Sequence, residues 1–550
     1  MNSCQAGRSI TAWIIFAAAL AMPGSAPLEL AAQGPAGPSI QPAPARRNGE
    51  GLGPFKTLVI RGAMLIDGTG APPQGPVDII VQGNRIASIQ GAGTPGLPMR
   101  PNRPPQNADH EIDGTGMYVM PGFVDLHGHA GEAPKNPEAE YPYKLWLAHG
   151  ITTTRGIPLG PHEFALKEKA RSARNEIAAP RIFNYQVPGS AWSQGPIDTP
   201  EKARAWVQWG SQNGIDGLKL FYAPPEIAAA LFDEARKLNL GSVAHLNQLG
   251  VAQLNALQAA KLGLGTVTHF YGHFEALLED YRVQPWPHQM NYNHEQWRFS
   301  QVARLWDKIY EPGGPEWKAY LAEHVKLGTT FDPTMTAYAA SRDVMRMRNA
   351  DWHDKYTLPS LMDFYAPSLE NHGSYYHHWT TADEIAWRNF YQVWFKLLRD
   401  YKNMGGRVTA SSDAGFIYNT YGFGYIHELK LLQEAGFHPL EVIQSATMNP
   451  AMTIHEAMKK PLEFGIVRRG FLADLVIVDQ NPLENLKVLY GTGAVRLNDQ
   501  TGRAERVGGV KYTIKDGIVY DAKQLLADVA GMVEKQKKER AARGTSAPRR

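Results

Sequence analysis

The chain has 550 residues with 56 basic and 53 acidic side chains, a net charge of only +3, which excludes a nucleic-acid-binding field built on bulk charge. With 43% hydrophobic residues it can bury a large core and supports more than one domain. Its single cysteine, Cys4, excludes an internal disulfide and leaves His and carboxylates as the ordinary metal ligands.

Residues 1–26 read as a secretory signal peptide. Arg8 precedes the apolar run Ile10 to Met22, and Pro23, Gly24, Ser25 and Ala26 follow. The run is shorter than the roughly 20 residues that a bilayer span requires. Cleavage after Ala21 or Ala26 predicts an exported, periplasmic or secreted protein with no stable membrane span and no thiol. Residues 27–54 are rich in Pro, Ala, Gly and Ser without apolar period, the composition of a disordered linker.

The runs "FKTLVIRGAMLIDGTG" and "VDIIVQGNRIASI" predict short antiparallel strands, giving a small β domain over 55–118. From 119 to 461 the texture changes. Short apolar runs alternate with helical segments such as "TPEKARAWVQWGSQNG" and "PPEIAAALFDEARKLNL", the signature of parallel βα units. The expected class is α/β: a (β/α)₈ TIM barrel, with a small β-sandwich domain from both chain ends. Its second part, 462–522, contains "ADLVIVDQNP" and "VKYTIKDGIVY". The stretch Tyr281 to Asn403, rich in Trp, Tyr and His, is expected to decorate the barrel, and 523–550 to form a solvated, basic helical tail.

Active sites of such barrels lie where strands end, and the strand-like runs here end in ligand-type side chains. "MPGFVDLHGHA" ends in His127 and His129, two residues apart and therefore on one face of a strand. "GIDGLKLFY" carries Lys219 inside an apolar run. "GSVAHLNQ" ends in His245, "LGTVTHFYGH" in His269 with His273 trailing, and "GGRVTASSDAG" in Asp413. Each alone has an ordinary alternative: a hydrogen-bonded core histidine, a snorkelling lysine, a turn-capping aspartate. Six in βα register point to a metal site.

This ordered series resembles the amidohydrolase superfamily, in its imidazolonepropionase-like and prolidase-like branch, from Leu58 to about Tyr520. The resemblance implies a binuclear metal-dependent hydrolase of C–N amide bonds acting on a dipeptide, N-acyl amino acid or cyclic amide by a metal-bridging hydroxide. It implies that His127, His129 and Asp413 hold one divalent ion and His245 and His269 the other. Zinc is the default for such imidazole-rich sites. Lys219 bridges both as a carbamate formed with CO₂, and Asp413 shuttles the catalytic proton. An esterase or lactonase on the same site is the alternative, and a non-catalytic assembly protein on this scaffold is a remote one. The implied partner is a small-molecule amide; no nucleic acid is implied, and an oligomer is left open.

Two departures from the family pattern carry information. Gln248 stands where deaminating relatives commonly carry a glutamate, which places deamination below amide hydrolysis. Gly156 in "TTTRG" replaces a carboxylate, which leaves Arg155 for a substrate carboxylate or for an ion pair elsewhere. Tyr222 and Tyr271, just beyond ligand strands, are candidate donors to substrate or simple lining. His427 in "IHEL" is expected to orient a loop.

Overall fold

The computed structural model describes residues 40–248, 250–280, 286, 294–368 and 375–544. The signal peptide and residues 27–39 lie outside them.

Eight parallel strands follow one another in space in chain order: Phe123–Gly128, Ile151–Gly156, Arg181–Gln186, Gly217–Leu220, Gly241–Ala244, Thr266–Thr268, Thr330–Asp332 and Arg407–Val408. The sheet closes where the last strand's continuation meets the first. Asp413 donates its backbone N–H to the His127 carbonyl (3.2 Å), and Ser412 its own to the Asp125 carboxylate (3.0 Å). The result is the expected (β/α)₈ barrel. Its helices start where the sequence provides stops and caps: Thr199 caps Pro200–Gln212, and an Asn255–Gln258 capping box opens Ala256–Leu262, which ends on left-handed Gly263.

The first barrel strand shows why the pattern is legible. Val124 and Leu126 point outward and pack with Ala451, Ile454 and Phe464. The alternate residues Asp125 and His127 therefore face inward. Gly128, between the two histidines, sits against the second strand. A Cβ there would lie 2.1 Å from the Thr154 hydroxyl oxygen, so any other residue would force that hydroxyl to move.

The small β domain is built around an eight-stranded sheet drawn from both flanks. Thr57–Leu65 pairs antiparallel with Gln74–Gln82 and parallel with His110–Asp113, while Leu475–Val478 joins Tyr118–Pro121 to Val510–Lys515. Leu58, Ile60, Ile79, Leu475, Ile477 and Ile514 fill its own core. Tyr118–Pro121 belongs to this sheet, so the barrel begins at Phe123 and not at residue 119.

Three expectations are corrected. From Ile40 onward the linker is not disordered: Ile40 and Ala43 are buried, Gln41 pairs with the backbone around Glu138, and the Arg46 N–H reaches the Glu176 carbonyl at 2.8 Å. Extended, proline-spaced chain has no period to read, yet its few apolar side chains find a groove. The segment 281–403 is more than decoration, because the seventh barrel strand, Thr330–Asp332, lies inside it. The terminal helix, Ala522–Ala542, is solvated only on one side. Leu525, Leu526, Val529 and Val533 form a buried stripe, and Asp528 pairs with the buried Lys144 at 2.6 Å.

Candidate metal centre

His127, His129, Lys219, His245, His269 and Asp413 all reach the C-terminal end of the barrel. His127 Nε2 lies 3.4 Å from Lys219 Nζ and 3.5 Å from Asp413 Oδ1. His129 Nε2 is 3.4 Å from the same carboxylate oxygen, and His269 Nε2 is 3.8 Å from Asp413 Oδ2. Donor atoms of His127, His269 and Asp413 lie within 4.8 Å of one another. The His245 ring stands 4.5 Å from that of His269, centre to centre.

These groups fit divalent ions on three observations. The first is hydrogen bonding at the outer ring nitrogens. His129 Nδ1 sits 2.9 Å from the Pro158 carbonyl, which only accepts, so Nδ1 carries the proton and Nε2 keeps its lone pair. His127 Nδ1 contacts the Thr268 hydroxyl (3.0 Å) and His269 Nδ1 the Thr334 hydroxyl. The second is the buried Nε2 of His269, which has no hydrogen-bond partner among the described residues, a costly arrangement for a group with nothing to bind. The third is charge. Burial holds His127 and His269 well below the ordinary histidine range, so both are neutral ligands, and burial brings the Lys219 ammonium down to about 7. A deprotonated amine is the form that adds CO₂.

The backbone is also committed. His269 and Asp413 adopt left-handed conformations (φ 65° and 44°), uncommon for residues other than glycine and concentrated at functional positions.

The structure decides between the two readings of Arg155 in favour of the ion pair. Its side chain lies inside the barrel beneath the histidines, 1% exposed. It donates to the Leu126 carbonyl (2.8 Å) and to Asp332 (3.3 Å), a buried ion pair facing no substrate. Asp332 in turn accepts from Thr409 (2.8 Å) and from the Ser411 hydroxyl. Gly156 is explained locally: a Cβ there would approach that of Leu159 to 2.5 Å, so the position holds no carboxylate. Replacing Arg155 with Ala strands a buried carboxylate and should destabilise the fold by about 3–5 kcal/mol, measured as a lower denaturant midpoint. A midpoint equal to wild type would mean that the pair carries no stability.

Tyr222 is turned aside, its hydroxyl donating to Gln253 at 2.6 Å. Tyr271 remains, buried against His245 (4.7 Å) and His269 (5.6 Å). His273 points away into the wall, its Nδ1 2.6 Å from the Tyr320 hydroxyl oxygen. His427 holds the loop after the seventh strand through Thr336 (3.1 Å). Sequence reasoning missed Asp332, Thr334 and Tyr338. "TTFDP" is itself a β-branched and apolar run ending in a carboxylate, the signal used elsewhere, but at three residues the strand is too short to show a period.

Among curated proteins, a dihydroorotase of Thermus aquaticus is 26% identical over 220 residues, covering 38% of this chain and 41% of that protein. An N-acyl-D-aspartate deacylase of Alcaligenes xylosoxydans xylosoxydans is 35% identical over 146 residues, 26% of each chain. These partial matches support a relationship to the amidohydrolase superfamily. Adenine deaminases match over shorter stretches. The chain spans less than half the length of these relatives. No family model matches. Among solved structures, a Xaa-Pro dipeptidase with bound methionine superposes with a TM-score of 0.55 at 19% identity, covering 84% of this chain and all of that one. This chain thus shares that protein's fold. Among the described residues no helix is long and apolar enough to cross a membrane.

Proposed function

We propose that the protein is a binuclear metal-dependent hydrolase of C–N amide bonds in a small molecule: a dipeptide, an N-acyl amino acid or a cyclic amide. The observation that carries this reading is the cluster of His127, His269 and Asp413, with His129 and Lys219 each 3.4 Å from one of its members, the His245 ring beside His269, and the His269 Nε2 lone pair unclaimed. His127, His129 and Asp413 would hold one ion, His245 and His269 the other, and Lys219 both, as its carbamate. Two divalent ions, zinc by default for this donor set, would supply acidification of a water and polarisation of an acyl oxygen.

The rest is the work of this chain. Asp413 takes the proton of the attacking water and returns it to the amide nitrogen as the C–N bond breaks, so one carboxylate serves as base and then acid. Tyr338 donates its hydroxyl proton to the Tyr271 oxygen (3.1 Å), which leaves the Tyr271 proton for an acceptor on the substrate. The rings of Tyr271 and Tyr338 pack against the histidines, and the half-exposed Phe221 stands beside His245. Gln248, buried beyond the fifth strand, cannot relay the proton that ring deamination requires.

Metal-loaded protein should contain two divalent ions per chain and cleave amides faster than lactones or esters in a screen of dipeptides, N-acyl amino acids, lactams and lactones. Full activity with at most one ion refutes the binuclear reading. Faster release of ammonia from adenine- or cytosine-like compounds than cleavage of any amide refutes the reaction class. We also infer export, from Arg8 and the apolar run after it. Protein isolated from its natural host should begin after Ala21 or Ala26, and N-terminal sequencing that still reads Met1 refutes it.

A further inference from the structure

We infer that Thr334 and Glu428 form a positioning device for His269, in which the threonine hydroxyl fixes the imidazole tautomer and the glutamate holds the threonine in place. The inference rests on the metal-binding reading and adds residues to it.

The Thr334 hydroxyl donates to the carbonyl of Pro333 at 2.7 Å. A hydroxyl has a single proton, so in its contact with His269 Nδ1 the oxygen can only accept. Nδ1 therefore carries hydrogen, and the free lone pair of His269 is on Nε2, the buried atom with no hydrogen-bond partner that faces Asp413. Reversing the tautomer would turn an N–H toward the cluster.

The hydroxyl reaches the ring because of an unfavourable backbone. Thr334 stands at φ 46° and ψ 41°, in the left-handed region, where a β-branched side chain is a true outlier. The two residues that follow are pinned by one buried carboxyl group: the N–H groups of Met335 and Thr336 donate to Glu428 Oε1 and Oε2 at 3.0 and 2.7 Å. Glu428 lies on the helix Phe423–Glu434 and is fully buried. A glycine would relieve the strain at position 334, but it offers no acceptor. The sequence bears the strain and keeps the hydroxyl, which is the mark of a functional constraint.

Thr334→Gly separates this role from a merely structural one. Glycine suits φ 46°, so the variant should melt at or above the wild-type temperature. It should nevertheless lose zinc to a chelator at least about 10-fold faster, the scale of losing a hydrogen-bond partner behind a ligating histidine. Thr334→Ser should restore retention, and Thr334→Val should behave as Gly does. Glu428→Gln, which places an amide N–H₂ against one of the two backbone donors, should also shed zinc faster, and its metal-free form should lose the Nδ1–H signature of His269 in ¹⁵N spectra of histidine-labelled protein. Wild-type zinc retention in Thr334→Gly, with wild-type protein binding two ions, overturns the device and leaves the metal reading standing. Wild-type protein that binds no zinc overturns both.

Discussion

Replacing Lys219 with Ala should remove most of the bound metal and lower kcat/KM by on the order of 10³-fold, the scale of removing a preorganised electrostatic group. Lys219 is 1% exposed, with its Nζ 3.4 Å from His127 Nε2 in the middle of a ligand cluster. An ammonium there would repel any dication. Burial lowers its proton affinity until the neutral amine is accessible near pH 7, and in the proposed reading CO₂ would convert that amine into an anion with two oxygens. The alanine variant leaves a space of one carboxylate. Millimolar acetate or propionate should therefore restore part of both metal content and turnover. Lys219→Arg should be as inactive as Ala and insensitive to acetate, because a guanidinium neither adds CO₂ nor gives up its charge. Elemental analysis with kinetics, with and without the added acid, decides the matter. Two bound ions and full activity in the Ala variant, with no carboxylate present, would show that no bridge exists.

Asp413→Asn should lower kcat by about 10²–10⁴-fold, the usual share of general acid–base catalysis, while retaining more metal than the Lys219 variant. The two effects separate because asparagine keeps an oxygen directed at the cluster but cannot accept the water's proton. The position demands this side chain for geometric reasons as well. Its carboxylate lies within 3.8 Å of His127, His129 and His269, and its backbone, in a left-handed conformation that Asp and Asn tolerate, closes the barrel onto the His127 carbonyl. The Asn variant should accordingly fold with a midpoint near wild type. Metal content measured beside single-turnover rates separates the roles: a parallel loss of both would make Asp413 a ligand only, and an unchanged rate would remove it from the chemistry.

What the amino-acid sequence determined by itself is what depends on neighbours along the chain. A strand repeats every two residues, so His127 and His129 had to share a face once "GFVDL" was a strand, and Val124 and Leu126 had to face the other way. Lys219 inside an apolar run, and His245, His269 and Asp413 at the ends of others, follow from the same period and from the rule that barrel sites lie at strand ends. The alternation of short strands with capped helices sufficed for the barrel.

Only the tertiary structure decided the support beneath those candidate ligands. Thr268 stands 141 residues from His127, Thr334 is 65 from His269, and Asp332 is 177 from Arg155. Such pairs have no period and no spacing, because barrel closure and not chain connectivity brings them together. The same holds for Ile40 and Ala43, whose burial in an otherwise polar, proline-spaced segment depends on a groove made by residues far along the chain. A candidate ligand is announced by its own chemistry at the end of its own strand. The partner that sets its tautomer is an ordinary threonine until the fold places it.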